Sequence, residues 1–172
     1  MRPRFHFLNQ RYGDIMDNEE SLRRHIVNLL TKADAHVDVM ATLEEFPPEL
    51  RGRKPKGAPH TPWQLLEHMR IAQWDILRFS VDGKHVSPKF PDGYWPQQEA
   101  PANDKAWKDS VRQFLDDLQA MCELVEDKKR DLFAPIAHGD GQTLLREALL
   151  VADHNAYHLG QLVTLRRTLE GE

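Results

Sequence analysis

Residues 153–167 read DHNAYHLGQLVTLRR and set His154 and His158 four positions apart, with Leu149, Leu150, Leu162 and Leu165 around them. On a helix that spacing puts two side chains on one face, about 40° apart around the axis and about 6 Å apart along it. Two imidazoles so placed can bind one metal ion, and coordination satisfies ring nitrogens that burial would otherwise leave unpaired. The same spacing also occurs on helices that bind nothing, so the pair alone leaves both readings open. A third candidate, His68, falls within WQLLEHMRIAQWDI, among Leu65, Leu66, Ile71 and Ala72. An imidazole in the middle of an apolar helix needs a partner. Facing helices of a bundle are a recurrent way to assemble metal ligands from distant parts of a chain. With His154 and His158, His68 makes three nitrogens, one short of a tetrahedral shell.

The other six histidines are weaker candidates. His6, His60, His85 and His138 fall in expected loops or at an irregular start, where surface exposure is the simpler reading. His25 and His36 flank the apolar stripe of the first helix. Gln161 shares a face with His154 and His158 and can give one of them a hydrogen bond or line a polar pocket. Asp75, two turns beyond His68, can orient a histidine or pair with Arg78. Tyr94 and Trp95 can cover a cavity mouth or simply close the core. Asp153 and Glu67 adjoin the candidate ligands in sequence, but successive helical residues point about 100° apart, so neither should reach the same ion. Asn155 stands where a zinc protease with H-E-x-x-H carries its glutamate, which argues against a protease.

Four helical stretches are expected to position these groups. The first, capped by Asp17 or Asn18, runs over residues 18–44, with Leu22, Ile26, Leu29, Ala33, Val37 and Met40 at spacings of three and four. The second opens at HTPWQLLEHM with Thr61 as N-cap, Pro62 at the first helical position and Gln64 closing a capping box. It ends at Asp82 and Gly83. A proline-rich loop, GKHVSPKFPDGYWPQQEAPAN, follows, and loops of that length are often functional. Asn103 or Asp104 starts the third helix, which runs to Asp127 along Trp107, Val111, Phe114, Leu118, Met121 and Val125. Thr143 starts the fourth, which runs to Leu169. The expectation is one all-α domain over residues 1–172, a four-helix bundle with a long loop between helices 2 and 3.

Composition narrows the function classes. The 172 residues are 40% hydrophobic and 29% charged, which suits a globular chain rather than a disordered one. With 23 basic against 27 acidic residues the net charge is −4, which disfavours nucleic acid as the main partner. The single cysteine, Cys122, excludes an internal disulfide and reads as a buried spectator thiol. No run approaches the roughly 20 apolar residues of a membrane span, and MRPRFHFLNQ lacks the apolar core of a signal peptide. The cytoplasm is the expected location.

WQLLEHMRIAQWDI and DHNAYHLGQLVTLRR together resemble the two signature helices of the DinB-like superfamily, the DinB and YfiT-type metalloenzymes. The resemblance follows the helix order along nearly the whole chain, and YHLGQLVTLRR is its most specific part. It implies an up-down-down-up four-helix bundle in which His68, His154 and His158 bind one divalent metal ion, nickel or zinc. A three-histidine site keeps an open position, the arrangement of catalytic rather than structural zinc. Relatives include thiol-dependent transferases and isomerases that use mycothiol or bacillithiol, and the resemblance also implies a homodimer. Two functional classes follow: a metal-dependent S-transferase or hydrolase acting on a small molecule, in concert with a low-molecular-weight thiol, or a non-catalytic stress protein that binds a metal or small ligand. The family's name refers to induction by DNA damage and implies no contact with DNA.

Overall fold

A computed structural model describes the backbone of residues 6–32 and 35–171, and side chains from residue 18 onward within those ranges. Its regular structure is helical: α1 (His6–Thr31), α2 (Val39–Glu44), α3 (Pro62–Val81), α4 (Asp104–Glu126) and α5 (Leu144–Glu170), with a single 3-10 turn at Pro48–Leu50. Among the described residues there is no strand, and no helix is long and apolar enough to cross a membrane.

Three helices begin where local chemistry says they should. Thr61 accepts from the Gln64 amide while Gln64 Oε1 accepts from the Thr61 amide, the reciprocal capping box expected of this sequence. Asn103 Oδ1 accepts from Ala106 N at 2.9 Å to open α4, and Thr143 Oγ1 accepts from Arg146 N at 3.2 Å to open α5.

The first helical stretch differs from expectation. Helix α1 starts earlier, runs straight through Asp17 and Asn18, and stops at Thr31, after which α2 forms separately. The cause of the restart is Asp38, whose carboxylate accepts from Ala41 N at 2.8 Å and caps a new helix inside what reads as one continuous stripe. Of that stripe Ile26 is buried and Leu22 partly so, while Leu29, Val37 and Met40 are exposed; Leu30 and Leu43, which lie off the expected stripe, enter the core instead. The start expected to be irregular up to residue 17 is helical from His6, and residues 1–5 and Ala33 lie outside the described residues.

Helix α3 packs against both α4 and α5, and α1 packs against the same two. Between them lie Leu66 and Met69 of α3, Phe114 and Met121 of α4, and Val151 and Leu162 of α5, all nearly inaccessible to solvent. Cys122 is buried in this core, and burial pushes its thiol up to about 11, which makes it inert as a nucleophile at neutral pH. Two buried arginines tie the periphery down. Arg23 of α1 donates to the carbonyls of Val125 (2.6 Å), Asp127 and Arg130 and so closes the C-terminal end of α4. Arg51 binds Asp104 at 2.6 Å and lies over the Trp107 ring, 4.7 Å from its centroid.

The long segment between α3 and α4 folds back along α3. Thr61 Oγ1 donates to the Glu99 carbonyl at 2.7 Å, and Gln64 Nε2 donates to that of Pro96 at 3.2 Å. Gly52 allows this return, because a Cβ there would lie 2.5 Å from the Ala100 Cβ. Tyr94 and Trp95 are thereby held against the middle of α3, beside His68.

Candidate metal centre

His68 projects from α3, and His154 and His158 from α5, two helices packed face to face. Their ligand nitrogens lie within 4.8 Å of one another, and His68 Nε2 is 3.0 Å from His154 Nε2. Two nitrogens bound to one ion at about 2.0–2.1 Å sit roughly 3.0–3.4 Å apart, so this pair already has the required spacing. The His158 ring closes the third side, with its centroid 4.6 Å from that of His68 and 4.5 Å from that of His154.

Neighbouring groups decide which nitrogens are available. The His68 Nδ1–H donates to the Tyr94 carbonyl at 3.1 Å, and the His158 Nδ1–H donates to Gln161 Oε1 at 2.7 Å. Both acceptors can only accept, so in these rings the single proton of neutral imidazole sits on Nδ1 and Nε2 keeps its lone pair. Fixing the tautomer through the second nitrogen is how metal-binding histidines are usually oriented.

The three rings are held neutral. Burial, together with the nearby His158 and His60, pushes His68 down to about 4, only partly offset by its hydrogen bond to Tyr94. Burial, then His158 and His68, pushes His154 down to about 4 as well. The Asn155 amide oxygen, which is buried without a well-aligned partner, offsets little of this. His158 is lowered mainly by burial, against the opposing pull of Gln161. The cluster is thus a set of neutral nitrogen donors at neutral pH, and no carboxylate joins it among the described residues. Donor type, spacing and protonation all fit a divalent cation of the imidazole-binding kind.

Asp75 acts one layer further out. Its carboxylate accepts from the Tyr94 hydroxyl at 2.6 Å and from His85 Nε2 at 2.7 Å, and it does not pair with Arg78 in these contacts. Burial and then the Asp75 carboxylate push the Tyr94 phenol up to about 12, so it remains a donor to Asp75 across the working pH range. Asp75 therefore clamps the loop residue whose backbone carbonyl holds His68. Glu67 points elsewhere, to Arg70 and the Ser110 hydroxyl, and Asp153 is exposed.

The sequence pattern puts His60 and His85 in surface loops, whereas in the structure both lie in this neighbourhood. His85 is almost covered and bound to Asp75. His60 stacks on one face of the Trp95 indole at 3.7 Å while His68 stacks on the other at 3.8 Å. The only sequence hint was position: His60 immediately precedes the Thr61 cap, and Trp95 sits in the short aromatic run GYWP. His138 is exposed, as expected of a loop histidine; His25 and His36, read as flanking the apolar stripe, are exposed too, and the side chain of His6 lies outside the described residues.

Residues 33–162, well over half the chain and including all three histidines, match the DinB superfamily. The chain belongs to the DinB superfamily. No curated protein and no solved structure matches it. In this DinB-superfamily chain the three-histidine cluster joins α3 to α5 across 86 residues of sequence.

Proposed function

We propose that the protein is a metal-dependent enzyme of the S-transferase or hydrolase type, with His68, His154 and His158 holding one divalent ion, nickel or zinc. The observation that carries this reading is the meeting of three neutral imidazoles, two with Nε2 lone pairs fixed by hydrogen bonds at Nδ1. Bound there, a divalent ion supplies Lewis acidity, lowering the pKa of a water or thiol and polarising an electrophile. The chain contributes the rest. The Tyr94 carbonyl and Gln161 orient two of the rings, Asp75 anchors Tyr94, and Trp95 covers His68 and limits water on that side. Among the described residues the three donors are neutral and no carboxylate joins them, so these residues would leave the charge of a bound ion to be balanced by an anionic or readily deprotonated partner such as a thiol. In this reading the four long helices form the up-down-down-up bundle of the superfamily, and the protein works as a cytoplasmic homodimer on a small molecule.

A second reading is a metal- or small-ligand-binding stress protein without turnover. It is favoured by a cluster that, among the described residues, holds three imidazoles and no carboxylate that could act as general base within it. Metal analysis of untagged protein, followed by turnover of electrophiles with a panel of low-molecular-weight thiols, separates the two. Bound metal with thiol-dependent turnover supports the enzyme, bound metal with no turnover supports the binder, and no bound metal removes both.

A further inference from the structure

A cavity of about 340 Å³ opens on the His158 side of the cluster, between the segment preceding α3 and one face of α5. Three of its wall residues touch the cluster or its cover. Gln161 accepts from His158, the Tyr157 ring lies 4.8 Å from the His158 ring, and His60 stacks on the Trp95 indole whose opposite face covers His68. None of the three histidines is in its wall, but the cavity adjoins His158 and is walled in part by Gln161, the group that orients that ring.

Its chemistry is one-sided. Leu65 and Leu165 supply apolar wall, the polar edge consists of uncharged groups, and among the described residues no Asp, Glu, Lys or Arg lines it. A charged group seated against the apolar side of this open cavity would shed part of its water and meet no counter-ion in the wall, which is unfavourable. A thiol carrying several carboxylates meets no cation in it. At the small end of the roughly 300–1,000 Å³ range of small-molecule sites, the cavity holds a body of one or two rings.

Gly160 adds an independent observation. It lies well inside α5 at a helical position without positive φ, where glycine is destabilising relative to alanine. A Cβ built on it meets nothing within 4 Å, so no packing neighbour requires the glycine. What the missing side chain leaves is open room in the cavity wall.

We propose that this cavity is the substrate site of the histidine centre and that it takes the uncharged aryl or alkyl body of a small molecule, with the reacting group turned toward His68, His154 and His158. The proposal rests on the metal reading of the centre. It is tested with two probes of similar shape, naphthalene-2-carboxamide and naphthalene-2-sulfonate, followed by amide NMR shifts on the full chain. The carboxamide should shift residues 157–165, and the sulfonate should bind at least tenfold more weakly. Gly160→Leu should weaken carboxamide binding at least tenfold while leaving metal content and thermal midpoint undiminished. Carboxamide protons should relax faster on cobalt(II)-loaded than on zinc(II)-loaded protein, which locates the probe beside the centre. Equal or tighter sulfonate binding, unchanged binding to Gly160→Leu, or absent paramagnetic relaxation on cobalt-loaded protein would each overturn the proposal. Carboxamide binding by a protein that takes up no metal would leave the cavity assignment standing and remove the metal reading; metal uptake without carboxamide binding would do the reverse.

Discussion

Replacing Gln161 by alanine isolates one link in the account, because Gln161 orients a ring without supplying a ligand nitrogen. His158 is 6% exposed, and its Nδ1–H has Gln161 Oε1 as acceptor at 2.7 Å. Without that acceptor, the ring can move its proton to Nε2 and bury the lone pair on the wrong side, or keep the tautomer at the cost of an unpaired donor. Loss of such an orienting partner typically weakens metal binding about 10- to 100-fold, or about 1.4–2.7 kcal/mol. Gln161 also lines the open cavity, so water can enter as a substitute acceptor, which places the expected loss at the lower end, about tenfold. Competition against a chromophoric chelator at neutral pH measures it. Gln161→Glu keeps an acceptor in place and should retain or exceed the parent affinity. If Gln161→Ala binds metal within twofold of the parent, the hydrogen bond does not set the tautomer and this part of the reasoning is wrong.

Three further outcomes are expected. Asp75→Ala strips the acceptor from both Tyr94 and His85 and should cost about 2–3 kcal/mol in urea denaturation, with Tyr94→Phe costing about 1 kcal/mol; equal stability of all three proteins would show that the clamp bears no load. In metal-free protein, His68 and His154 stay unprotonated down to about 4 when folded and take up protons from about 6.5 when unfolded. The unfolded chain therefore gains protons first, and stability should fall as pH drops from 6.5 toward 4, with a shallower fall in His154→Gln; a flat urea midpoint over that window would contradict the assigned burial. Arg23→Ala removes the donor to the Val125 and Arg130 carbonyls, while the Asp127 carbonyl keeps Arg130 N, and should cost about 2–3 kcal/mol, read by thermal or urea unfolding; an effect under about 0.5 kcal/mol would contradict the assigned role.

The elements that were legible in the sequence are those whose ends carry their own chemistry. Thr61 with Gln64, Asn103 and Thr143 each mark a helix start through a side chain acting within three residues, and α3, α4 and α5 begin there. The three histidines were legible for a related reason: periodicity put His154 and His158 on one face and His68 inside an apolar stretch. The break between α1 and α2 was hidden because apolar residues continue at helical spacing through it, and spacing does not reveal that Leu29, Val37 and Met40 face solvent. His60, Trp95 and the His85–Asp75 pair were out of reach for another reason. They belong to segments without periodicity, whose course is set by contacts such as Thr61 with Glu99 and Gln64 with Pro96. The helix pattern marks Asp75 as a group able to orient a neighbour, but its partners come from a loop whose path that pattern does not encode.

The most direct measurement is X-ray absorption at the metal edge on untagged protein, combined with metal counting for the parent and for His68→Ala, His154→Ala and His158→Ala. The account predicts about one divalent ion per chain, a first coordination shell containing three imidazoles, and loss of the ion in each variant. An ion retained in His68→Ala, or a shell with fewer than three imidazoles in the parent, would contradict it.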